Sequence, residues 1–117
     1  MKIQKAGEIY YGKAFRAESY LLVGGKTAQD IVDFEADELG NIDIREQAES
    51  LDINLRDIAA RNVLWVAKDL ETARKYGANA EEIAIPENSM IIAGDDEDGE
   101  YLVWVWGVVE KPYSPEN

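Results

Sequence analysis

A chain of 117 residues with 46% hydrophobic content suits a single domain, residues 1–117, able to bury its own core. It has neither cysteine nor histidine, which excludes disulfides, thiolate metal sites and imidazole catalysis and leaves any chemistry to carboxylates, Tyr, Ser, Lys or Arg. The formal net charge is −12, with five cations against two carboxylates in residues 1–26 and seven against twenty-two in residues 27–117, so direct nucleic-acid binding is not expected.

Residues 8–23 carry aromatic and β-branched side chains broken by Gly12 and read as extended structure, closed by the turn Gly24-Gly25. Thr27 followed by Asp30 makes a capping-box start for a helix over 27–39. Ile31, Val32, Phe34, Ala36 and Leu39 form its apolar stripe, and Gly40 supplies a left-handed end. Residues 42–44 read as a short strand or a turn. Asn54 caps a second predicted helix over 54–60. Residues 63–67, VLWVA, read as a buried strand. Asp69 caps a third helix over 69–76, ended by Gly77, with Leu70, Ala73 and Tyr76 inward.

Strands are then expected over 82–85, closed by Pro86, and over 90–93. A turn over 94–99 leads to a long strand over 100–109. That last strand is apolar on both faces, which places it inside the sheet. The carboxylates of residues 95–100 guard it against edge pairing. The predicted class is α+β, a mainly antiparallel mixed sheet with two or three short helices. The apolar run of residues 101–109 is too short to span a bilayer, and no signal-peptide stretch follows Met1. A cytoplasmic protein without membrane association is expected.

Two motifs are set aside on spacing. Gly24-Gly25-Lys26-Thr27 ends like a phosphate loop, but Tyr20 stands where the first glycine belongs. The acidic run from Asp95 to Glu100 lacks the ligand spacing of a calcium loop, so no metal site is expected. Trp65, Trp104 and Trp106 lie in predicted strands and read as packing residues.

Four segments, taken in order, resemble a minimal ADP-ribosyltransferase-like domain of the phage, toxin or poly(ADP-ribose) polymerase type. LWVAKDLETARKYG, residues 64–77, is similar to that family's strand followed by a capped helix ending in Tyr-Gly. EIAIPENSMII, residues 82–92, resembles its next hairpin. GEYLVWVWGV, residues 99–108, resembles the strand that opens on the catalytic glutamate. IYYGKAFRA, residues 9–17, sits where the first strand carries an Arg or a His. The resemblance implies NAD as substrate, no metal, and Glu100 as the carboxylate that stabilises the ribosyl cation when the nicotinamide bond opens. Glu82 is the second choice for that acid. Arg16 would hold the dinucleotide, and Tyr76 or Trp65 would stack on the nicotinamide. Two departures stand out. Val66-Ala67-Lys68 replaces the toxin-type Ser-Thr-Ser, and Tyr11-Gly12 stands where the other branch has histidine before glycine. If Tyr11 occupies the site, Arg16 falls outside it. Arg16 and Glu100 in one cleft would favour the enzyme, and opposite faces a plain domain.

Each of these residues also has a simple structural role. Arg16 would be a strand-end surface residue, Tyr76 a helix anchor, Tyr11 a strand aromatic, Glu82 a solvated acid and Glu100 a guard against aggregation. The alternative function is a non-enzymatic acidic module that binds an unidentified protein partner, its charge imitating nucleic-acid phosphate.

Overall fold

The computed structural model describes residues 5–17, 27–95 and 99–104. The predicted turn at Gly24-Gly25, the central part of the acidic turn after Asp95, and the continuation of the last strand through residues 105–109, with Trp106, lie outside them.

Among the described residues five strands form one sheet: β1 (Ala14–Arg16), β2 (Val63–Ala67), β3 (Glu81–Ile83), β4 (Met90–Asp95) and β5 (Glu100–Trp104). Their order is β3-β1-β2-β5-β4, and every pairing is antiparallel. The sheet and three short helices make the predicted α+β class. β5 lies between β2 and β4, as its two apolar faces require. β2 is buried along its whole length and is the other interior strand with unbroken apolar character.

The first helix starts as its capping box dictates. The Thr27 hydroxyl accepts from the Asp30 amide, and the Asp30 carboxylate accepts from the Thr27 amide at 3.0 Å. α1 (Ala28–Asp33) then widens into a π-helical turn (Phe34–Glu38), and Gly40 follows with φ +78°.

Residues 42–44, expected as a strand or turn, instead open a second helix, α2 (Ile42–Glu49). Its buried residues are only Ile44 and Ala48, so the stripe that betrays a helix is two side chains wide. The helix expected over 54–60 is two 3₁₀ turns, Leu55–Asp57 and Ala60–Asn62. Asn54 does cap the first of them through Arg56 N–H. Between the turns the chain is extended, because Ile58 C=O accepts from Ala28 N–H and Ala59 bridges Thr27. Tertiary pairing with the start of α1 outweighs local helix preference there.

Asp69 caps α3 (Leu70–Arg74) by accepting from Thr72 N–H at 2.7 Å. Ala73 is buried, but Tyr76 is 39% exposed and does not anchor the helix. α3 joins β2 to β3, which run parallel to each other on either side of β1. Among the described residues no helix is long and apolar enough to cross a membrane.

Two apolar cores result, one on each face. Ile31 and Val32 of α1 and Ile44 and Ala48 of α2 pack with Val63, Trp65, Ile92 and Ala93. Tyr10, Ala14, Leu64, Val66, Ile91, Tyr101 and Val103 pack on the other side. The alternation along β2 sorts Trp65 to the first core and Leu64 and Val66 to the second. A bulge at Ile92 turns both Ile92 and Ala93 to the helix side.

Candidate functional site

The end of the sheet where β2 finishes and β5 begins gathers the polar and aromatic residues. Ala67 pairs with Glu100, and Lys68 N–H reaches Gly99 C=O at 3.4 Å. The β2 exit and the β5 entry are therefore held together.

Tyr101, the residue after Glu100, is 2% exposed and lies across Gly94 of β4. A Cβ on Gly94 would stand 2.6 Å from the Tyr101 ring, so only glycine admits this ring position. Tyr10 meets Tyr101 edge-on, with ring centroids 5.8 Å apart and planes at 70°. The Tyr10 hydroxyl donates to Lys13 C=O at 2.6 Å. Its phenol is held well above the ordinary range, first by burial, then by Tyr101 and Asp69. It stays protonated and acts as a fixed donor.

Tyr11 stands at the mouth of this group, 52% exposed. The Lys68 ammonium lies 5.9 Å from the centroid of the Tyr11 ring and 6.0 Å from that of Tyr101. Both distances fall within cation–π range. One face of the corner thus presents an exposed aromatic ring and a cation bracketed by two rings, and the half-buried Glu100 carboxylate stands at the same strand end on the opposite face of the sheet from Tyr101. The corner's chemistry suits an anionic ligand with a flat ring.

The other expected residues are placed differently. Arg16 is 2% exposed, and its Nη1 donates to Trp65 C=O at 3.0 Å. The β1–β2 ladder has a single paired position, Phe15 with Ala67, and the guanidinium continues it in place of a strand amide. Arg16 is therefore an internal tie and not the surface residue that a strand end would give. The registers Phe15–Ala67 and Ala67–Glu100 place Phe15 and Glu100 on one face, so Arg16 falls on the opposite face from Glu100. Arg16 and Glu100 therefore do not share one cleft, which is the arrangement expected of a plain domain.

Trp65 is 5% exposed in the helix-side core, where no ligand ring can reach it without disrupting that core. Glu82 is exposed on the edge strand β3, opposite Phe15. It shares a row with Glu100 but lies three strand spacings away, roughly 14 Å, so the two acids are not a pair. Tyr76 is exposed just beyond α3. Lys68 is the residue of this corner that sequence reasoning overlooked. The signal was its position directly after a fully apolar strand, where a side chain sits on the sheet rim.

A second polar group is buried under the helices. Glu35, in the π-helical turn, is 6% exposed and accepts from Asn41 Nδ2 at 2.9 Å. The Trp65 indole N–H faces the same carboxylate and favours its charge, without reaching full hydrogen-bond geometry. Burial dominates and raises the Glu35 carboxyl above its ordinary value, with Asn41 and Trp65 opposing. Among the described residues, no group of three or more acidic side chains is placed to hold a metal ion.

The fold and the corner define an antiparallel α+β domain with an aromatic and cationic rim beside one carboxylate. No protein-family model, curated protein or solved structure matches the chain.

Proposed function

We propose that the protein is an ADP-ribosyltransferase-like domain that binds NAD across the strand end where Tyr11, Lys68 and Tyr101 stand on one face of the sheet and Glu100 on the other. The observation that carries this is the position of Glu100. It opens an interior strand beside the end of β2, one residue from the ring that brackets Lys68.

In this reading Tyr11 offers its exposed face to a base or to nicotinamide. Lys68 supplies the positive charge that Arg16, buried and tied to Trp65 C=O, does not bring to the rim. Its ammonium would sit against the pyrophosphate, as a compact cation does well. Glu100 would lie beside the ribose and stabilise the positive charge that develops as nicotinamide leaves. The bond that breaks is the one from the ribose anomeric carbon to the nicotinamide nitrogen. The electron pair goes to nicotinamide, and water or an acceptor nucleophile completes the transfer.

Saturation-transfer NMR with NAD, combined with assay of nicotinamide release, tests the reading. The intact protein should bind NAD and release nicotinamide. Glu100→Gln should keep binding and lower release by at least about a hundredfold, the scale of losing a directed electrostatic group. Lys68→Ala should weaken NAD binding by roughly tenfold. Unchanged release by Glu100→Gln would remove Glu100 from the role, and absence of NAD binding would remove the reading altogether.

A further inference from the structure

Two large aliphatic side chains stand in water on the acidic, helical side of the molecule, remote in sequence from the NAD corner. Leu39 is 55% exposed and Ile42 is 62% exposed. Single exposed aliphatics are ordinary, but these two flank one turn.

That turn is fixed by costly features. The π-helical turn leads into it, and Leu39 N–H closes on Phe34 C=O at 3.3 Å. Gly40 takes a left-handed conformation, and Ile42 N–H reaches Gly40 C=O at 3.0 Å. Asn41 is pinned twice to Glu35, by its backbone to the Glu35 carbonyl at 2.8 Å and by its amide to the buried carboxylate at 2.9 Å. Burying a carboxylate opposes folding. Here it holds a turn that displays Leu39 and Ile42 to solvent. A surface whose shape is set before contact loses less freedom on binding.

The surround gives the partner its chemistry. Asp37, Glu38, Asp43 and Glu46 are all exposed around the pair, and the nearby Arg45 is engaged by Asp33 at 3.2 Å and Asp37 at 2.8 Å. Nucleic acid and anionic membrane would be repelled by such a rim, and a second copy of a chain with net charge −12 would be too.

We infer that the Leu39–Ile42 turn and the outer face of α2 form a docking surface for a protein partner that presents an apolar helix face flanked by Lys and Arg. The acidic rim steers the cationic partner, and the two aliphatics pack against its apolar face.

The test uses the full chain and a synthetic amphipathic helical peptide made only of leucine and lysine, followed by amide chemical shifts. The expected shifts centre on residues 37–49, and affinity falls steeply between about 50 and 300 mM NaCl. The double variant Leu39→Ser/Ile42→Ser should bind at least about tenfold more weakly, because burying even one aliphatic side chain is worth that much. Both side chains are exposed, so its melting temperature should stay near that of the unaltered protein. A second variant, Glu46→Gln, should flatten the salt dependence while leaving the apolar contact intact. Equal binding by the double variant would overturn the inference. So would shifts spread over the whole acidic surface, affinity indifferent to salt, or no binding. None of these outcomes bears on NAD binding.

Discussion

Gly94 shows how one missing atom positions the corner. Its lack of a Cβ lets Tyr101 lie flat against β4, and Tyr101 in turn supports Tyr10 and Lys68. Gly94→Ala would drive a methyl into that ring, which is buried and already packed against Tyr10. The expected cost is about 1–3 kcal/mol, read from the urea midpoint, together with a shift of the Tyr101 ring resonances. Glu35 makes a second prediction, with a definite sign. Its carboxyl ionises at higher pH in the folded chain than in the unfolded one, because burial outweighs the help of Asn41 and Trp65. The unfolded state therefore loses its proton first as pH rises. The contribution of Glu35 to stability is complete below the ordinary glutamate range and is lost as pH climbs through the raised folded value. Glu35→Gln keeps the acceptor for Asn41 and removes the charge. It should raise the melting temperature by a few degrees near neutral pH and by little at about pH 4. An equal gain at both pH values would show that charge burial is not the cause.

At the scale of elements, α2 guards the outer edge of β4 with one side chain. Gln47 Nε2 donates to Gly94 C=O at 2.8 Å, and Gly94 N–H donates to Gln47 Oε1 at 2.9 Å. The side-chain amide copies the pairing of a neighbouring strand. Further along the same edge, Gly7 N–H pairs with Ile91 C=O and Ile91 N–H with Glu8 C=O. Gln47→Ala should cost about 1–2 kcal/mol, since it leaves a buried strand position without its partners, and should raise aggregation on mild heating. Light scattering during a thermal ramp reads the second effect. The same elements show where sequence was legible. β2 and β5 could be placed because unbroken apolar runs belong in sheet interiors. The Thr27, Asn54 and Asp69 caps could be placed because each side chain precedes the amide that it satisfies. α2 was not legible, because Ile42 at its start is exposed and its buried stripe holds only Ile44 and Ala48. The failure at residues 54–60 had another origin. Pairing of Ile58 and Ala59 with the start of α1 is a long-range contact that no local window contains. Glu100 could be singled out by its place at the head of an apolar strand. The burial of Arg16 could not, because a cation at the end of a three-residue strand reads as a surface group until the partner carbonyl is known.

For the molecule as a whole, the two faces of one sheet serve different ends. The helix side buries Trp65 with α1 and α2 and carries the acidic outer surface with Leu39 and Ile42. At the end of the other face, the Tyr10–Tyr101 stack supports the rim that carries Tyr11 and Lys68. The proposed NAD corner and the proposed docking surface thus lie on separate elements, and either can be altered without the other. The measurement that bears most directly on the central claim is a titration of the isotope-labelled full chain with NAD, followed by amide and lysine side-chain resonances. Saturable shifts confined to Tyr11, Lys68, Gly99, Glu100 and Tyr101, needing roughly tenfold more NAD in Lys68→Ala, are the expected result. Shifts centred on Glu82 or Tyr76, or a spectrum unmoved by millimolar NAD, would contradict it.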